Sequence, residues 1–184
     1  AYRWALDAKQ MVMFFAKQSL RTRLTFQTAM NTLGGSALFV AQTSSPLGER
    51  ESLADIARNV ERWVQILVLR TYAHETITEM AQYASVPVVN ALSDLEHPCQ
   101  AIADFMTLQE RFGDLKGFNF TYVGDGNNVC HSLMLTAALL GAHCTIGTPK
   151  NYAPKADIVA QARAIANVTG SNIALVNDPV AAVQ

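Results

Sequence analysis

The feature that most constrains this chain is a regular alternation between short unbroken apolar runs and stripes of helical period. Residues 11–15 are all apolar, a run of the right length for a strand buried on both faces. Phe26, Ala29, Met30 and Leu33 then recur at i, i+3, i+4 and i+7, which predicts a helix over about 20–33 that Gly34 and Gly35 end. The cycle repeats: strand at 37–41, helix through Leu53, Ile56, Ala57 and Val60, strand at 66–69. A third helix carries Ile77, Met80, Ala81 and Ala84, residues 86–89 form another strand, and a fourth helix covers about 99–112. Strands separated by helices in this way pair in parallel, with the helices crossing over on both faces of the sheet. The fold class read from the sequence is therefore α/β.

A polar, glycine-bearing stretch at 112–117 marks a boundary, after which the cycle restarts. A strand at 118–123 ends in Gly124-Asp125-Gly126, followed by a helix at 129–140 and a strand at 144–147. A helix at 155–167 with Ile158, Ala162, Ile165 and Ala166 on one side precedes a strand at 173–176. The expected division is a first domain at 1–112 and a second at 113–184 that reaches only its third strand. An open α/β sheet ordinarily has more strands, and the sequence opens without Met almost at its first strand. The expectation is a partial chain.

Composition excludes several functional classes. The 14 Lys and Arg against 15 Asp and Glu give a net charge of −1, which carries no signature of a nucleic-acid binder or a polybasic membrane-surface protein. Half the residues are hydrophobic, so the chain is not disordered, and only 16% are charged, which favours an oligomer with buried faces. No apolar run approaches the roughly 18 residues of a membrane span. Three cysteines without CxxC spacing indicate neither a disulfide framework nor a zinc site. A cytoplasmic setting is the expectation.

In open α/β sheets ligands bind at the carboxyl ends of the strands. Two strand-to-helix turns there are unusually polar. Ser19-Leu20-Arg21-Thr22-Arg23 follows the first strand, where a helix N-terminus offers free N–H groups and positive dipole. Ser19 and Thr22 add hydroxyls, and Arg21 adds a planar fork matched to phosphate oxygens. A capping serine followed by solvated arginines is the plain alternative, but four such residues within five favour an anion site. The second turn is Glu96-His97-Pro98-Cys99-Gln100, with Pro98 in the first helical turn. His97 could donate to a carbonyl oxygen and Gln100 could satisfy an amide; a capping histidine beside a surface glutamine fits the turn equally well. Arg70 closes the 66–69 strand and points to the same crevice, although a surface arginine is the commoner case. Cys99 reads as packing.

Ser19-x-Arg21-Thr22-Arg23, Arg70 and His97-Pro98-Cys99-Gln100, in this order and spacing, resemble the aspartate/ornithine carbamoyltransferases over essentially the whole chain. The turn Gly124-Asp125-Gly126-Asn127-Asn128-Val129-x-His131-Ser132 and the stretch Leu47-Gly48-x-Arg50-Glu51-Ser52 are similar to the ornithine branch. The resemblance implies a carbamoyl-phosphate domain followed by the first part of a second doubly wound α/β domain. It implies that Ser19, Leu20 (through its N–H), Arg21 and Thr22 hold the phosphate of carbamoyl phosphate. By the same resemblance Arg70, His97 and Thr22 would polarise the carbamoyl oxygen, with Arg70 and His97 as the catalytic pair, while Gln100 would bind the carbamoyl nitrogen and Asn128 the amino-acid head of L-ornithine. It further implies a homotrimer and no metal or organic cofactor.

Three departures from the family pattern stand out: Leu20 where threonine is usual, Gln18 where proline is usual, and Pro46 where a polar side chain often reaches the neighbouring subunit's site. Ser44 or Ser45 is expected to replace the Pro46 function, with the 42–52 loop at a subunit boundary. Leu20 and the run Leu108-Gln109-Glu110-Arg111-Phe112-Gly113 also resemble N-acetyl- and N-succinylornithine carbamoyltransferases. A non-catalytic carbamoyl-phosphate-binding module and, more remotely, a dinucleotide-binding domain are the readings from other classes. Gly124-x-Gly126 lacks the third glycine that a dinucleotide fingerprint needs.

Overall fold

A computed structural model of the chain describes residues 2–41 and 46–184. The chain divides into two compact units, Ala1–Asp94 and Leu95–Gln184. Both are α/β with wholly parallel sheets.

The first unit runs β1 (Gln10–Phe15), α1 (Leu20–Thr32), β2 (Ser36–Ala41), α2 (Leu53–Val60), β3 (Ile66–Arg70), α3 (His74–Tyr83) and β4 (Val88–Leu92). Its sheet order is β2-β1-β3-β4. The chain thus leaves β1 for one side and returns to the other, and the two connections diverge between the carboxyl ends of β1 and β3. That divergence opens the crevice in which ligands of open sheets bind.

The period of two in the strands sorts the core onto two faces. Met11, Met13 and Phe15 of β1, with Val68 and Ala91, pack against Met30 and Phe26 of α1. Val12 and Phe14, with Leu67 and Leu69, pack on the opposite face against Ala57 of α2 and Ile77 and Met80 of α3. Gly34, with φ +90, supplies the left-handed residue that turns the chain out of α1; a side chain there would also press on the Trp4 ring, 3.0 Å from its Cβ.

Two local details differ from the sequence reading. β4 starts at Val88 rather than 86, because Pro87 has no N–H for the ladder; its carbonyl still accepts from Leu67 N at 2.9 Å. The β3–β4 register shifts between Leu69 and Arg70, so that Leu69 faces Asn90 but Arg70 faces Leu92. Such a bulge re-aims the side chain beside it.

The second unit holds α4 (Pro98–Phe112), β5 (Asn119–Val123), α5 (Asn128–Leu140), β6 (His143–Gly147), α6 (Ala156–Thr169), β7 (Ile173–Val176) and the short α7 (Pro179–Ala182). Its strands lie in the order β5-β6-β7. α5 is buried nearly all round, from Cys130 to Ala138, as a helix packed on several sides must be. Against it sit Ala101 and Phe105 of α4 and Ile158, Ala162 and Ala166 of α6. The compact units part at 94/95 because α4 shares the core of α5 and α6; Phe105 also packs on Phe120, centroids 5.0 Å apart.

Ser44 and Ser45, expected to act at a subunit boundary, lie outside the described residues. Among the described residues no helix is long and apolar enough to cross a membrane.

Candidate active site

The chain leaves β1 through Ala16 and enters α1 at Leu20. Ser19 is the N-cap, in extended conformation, and its Oγ accepts from Thr22 N at 3.4 Å. Ser19 Oγ also donates to Thr22 Oγ1 at 2.9 Å, which holds both hydroxyls at the helix mouth. A cavity of about 380 Å³ opens here, lined by Gln18, Ser19, Leu20, Arg23 and Phe39. The two arginines of the turn have separate fates. The Arg23 guanidinium lies over the Phe39 ring, 3.9 Å from its centroid, a cation–π contact that fixes it against β2. Arg21 is exposed on the first turn, beside the free N–H groups.

Arg70 enters from the neighbouring strand. Phe15 pairs with Arg70 in the β1–β3 ladder, and Ala16 N donates to Arg70 O at 2.9 Å. The side chain is 9% exposed. Its Nη1 meets Thr22 Oγ1 only at 3.5 Å, and its buried Nε has no acceptor among the described residues. No carboxylate among the described residues lies within ion-pair distance of it. Burial pulls its pKa below the ordinary arginine value, yet a guanidinium stays protonated at any physiological pH. A buried cation with an unused donor, aimed at a hydroxyl-lined helix N-terminus, calls for an anion. Ser19, Thr22 and Arg70 are thus brought together, as their sequence context suggested.

His97, Gln100 and Asn128 lie in the second unit. His97 is the residue before Pro98 at the start of α4, with φ −133 and ψ 65, and its ring does not cap the helix. Gln100 takes the plainer course: its Nε2 donates to Asp104 Oδ1 at 2.8 Å, one turn along the same helix. Asn128 opens α5, directly after Asn127, whose Oδ1 accepts from Val129 N and Cys130 N at 3.0 and 3.2 Å. The preceding Gly126 admits no side chain, since a Cβ there would fall 2.6 Å from Pro154 Cα, while its N–H donates to Tyr152 O at 2.7 Å. Asn128 therefore stands on a tightly held turn. Burial raises the pKa of the Cys99 thiol, in keeping with a packing role.

Two polar residues drew no role from the sequence. His131 and Ser132 are 2% and 1% exposed, side by side on the otherwise apolar inner surface of α5. Ser132 Oγ accepts from His97 N at 2.9 Å and donates to Glu96 Oε2 at 3.3 Å. Adjacent polar residues inside an apolar helical stretch were the sequence signal that could have found them.

These features define a class first: a parallel α/β protein with a buried arginine facing a hydroxyl-lined helix N-terminus at its β1/β3 switch point. The chain belongs to the aspartate/ornithine carbamoyltransferase family. The carbamoyl-P binding domain of that family matches residues 1–110, and its Asp/Orn binding domain matches residues 116–184. The ornithine carbamoyltransferase of Shewanella oneidensis is 49% identical over 177 residues, covering 96% of this chain and 59% of that relative. That of Anoxybacillus flavithermus is 44% identical, covering 97% and 57%. The solved structure of ornithine carbamoyltransferase from Pyrococcus furiosus superposes with a TM-score of 0.94 at 44% identity, over 97% of this chain and 57% of the other. The chain thus spans somewhat under three-fifths of the relatives' length.

Proposed function

We propose that the protein transfers the carbamoyl group of carbamoyl phosphate to the δ-amine of L-ornithine, giving citrulline and phosphate. The observation that carries this reading is the buried Arg70 guanidinium, its Nε without an acceptor among the described residues, facing the Ser19–Thr22 helix mouth in a chain of this family. In this reading Ser19, the Leu20 N–H, Arg21 and Thr22 bind the phosphate. Arg70, His97 and Thr22 draw charge onto the carbamoyl oxygen, Gln100 binds the carbamoyl nitrogen on leaving Asp104, and Asn128 binds the amino-acid head. The neutral δ-amine attacks the carbamoyl carbon, a tetrahedral oxyanion forms, and the carbon–oxygen bond to phosphate breaks, the departing phosphate taking the proton that the amine gives up. Fixed donors and positioning supply most of the rate, without a metal or organic cofactor.

The reading extends to a homotrimeric cytoplasmic enzyme of arginine biosynthesis. The test is citrulline formation by the complete protein, alongside ornithine's N-acetyl and N-succinyl derivatives. Turnover on ornithine is expected, and His97→Ala should lower kcat roughly 100-fold or more, with a smaller loss of carbamoyl-phosphate affinity. Preference for an N-acyl substrate would move the protein to those enzymes. Carbamoyl-phosphate binding without turnover on any of the three would make it a binding module.

A further inference from the structure

His131 and Ser132 make hydrogen bonds with one common target. Ser132 Oγ accepts the His97 N–H and donates to Glu96, while His131 Nδ1 lies 2.8 Å from Leu95 O. On its far side His131 Nε2 meets Lys155 N at 3.0 Å. A carbonyl only accepts and an amide N–H only donates, so the ring is the neutral tautomer with its proton on Nδ1. Three consecutive residues, Leu95, Glu96 and His97, are thereby fastened to one turn of α5. His131 is itself fastened to the start of α6. The His97 backbone is held on both sides: its carbonyl accepts from Gln100 N and Ala101 N within α4, at 3.1 and 3.3 Å, and its N–H is held from α5 by Ser132 Oγ. Packing alone would be served by apolar residues here, as at Leu133 and Met134 next along the helix.

We propose that His131 and Ser132 are positioning residues that hold the His97 backbone, and so give its imidazole one placement for polarising the carbamoyl oxygen. This rests on the role assigned to His97 above. A jig of this kind acts on turnover and leaves phosphate binding, which depends on the Ser19–Thr22 turn, nearly untouched.

The experiment measures kcat and carbamoyl-phosphate affinity in the complete protein for Ser132→Ala, His131→Leu, His131→Asn and His97→Ala, and for each of the first two combined with His97→Ala. Ser132→Ala and His131→Leu are expected to lower kcat by up to about 100-fold, the effect of a misplacement near 1 Å, with affinity within about 3-fold of the parent. His131→Asn keeps an N–H donor where Nδ1 stood and should recover most of the loss. Neither substitution should lower kcat further when added to His97→Ala, because both act through that ring. If His131→Leu fails to fold, Ser132→Ala and His131→Asn carry the same comparison. Full kcat in Ser132→Ala and His131→Leu with an impaired His97→Ala overturns the positioning proposal alone. So does a loss that adds fully to that of His97→Ala. An unimpaired His97→Ala overturns the His97 role, and this proposal with it.

Discussion

Replacing Arg70 with methionine should make the ligand-free protein more stable, against the usual result of removing a buried arginine. The side chain is 9% exposed, its Nε has no acceptor among the described residues, and its contact with Thr22 Oγ1 is at the 3.5 Å limit. A buried unsatisfied donor costs about 1–3 kcal/mol, and so long a hydrogen bond returns no more than about 0.5 kcal/mol. Methionine keeps the length and the apolar contacts while removing both terms, so the net change is a gain of about 0.5–2.5 kcal/mol. Anion binding should move the other way. Losing a charge-assisted hydrogen bond costs about 1.5–3 kcal/mol, a roughly 10- to 150-fold weaker affinity. Urea unfolding with and without saturating inorganic phosphate reads both quantities at once, since a ligand that binds only the folded state raises its stability. The parent should gain markedly from phosphate, and Arg70→Met should start higher and gain little. A ligand-free Arg70→Met destabilised by more than about 1 kcal/mol, or one that phosphate stabilises as well as the parent, refutes a role for the Arg70 guanidinium as an anion donor.

Arg21→Ala should weaken carbamoyl-phosphate binding by about 1.5–3 kcal/mol in calorimetry, whereas Arg23→Ala, which removes the stack on Phe39, should cost stability more than affinity. Gly126→Ala drives a Cβ into the Ala153–Pro154 backbone and should destabilise by about 1–3 kcal/mol in chemical unfolding; an unchanged midpoint would contradict the packing of that turn. Burial pushes the Cys130 and Cys144 thiols up to about 12, so at pH 8 neither should react with a thiol reagent until the protein unfolds. Mass spectrometry of the labelled protein would detect the contrary.

The elements were legible in the sequence because apolar period alone separates strands such as 11–15 from helices such as α1. The discrepancies have local causes. Valine at 86 looks like strand, but Pro87 withholds a donor and moves the start of β4 to Val88. The bulge that aims Arg70 depends on which β4 residue faces it, which no single strand's sequence encodes. Within the site, capping chemistry marked Ser19 and Thr22. The Arg70–Thr22 contact joins residues far apart in the chain, as does the stacking of Arg23 on Phe39. The Gln100–Asp104 bond, by contrast, is an i, i+4 pair that helical spacing already allowed.

Thr22 and Arg70 are 48 residues apart, joined only because β1 and β3 lie side by side at the middle of a parallel sheet. Contacts that close so long a loop gain nothing until most of the chain between them is ordered, which places them late on the folding route. Interactions absent from the transition state govern how fast a protein comes apart, not how fast it forms. A bound anion should therefore leave refolding rates alone and slow unfolding, shifting a single arm of the chevron. Occupancy of the cradle would then set the lifetime of the first unit, and so its resistance to proteases whenever cleavage outpaces reclosing.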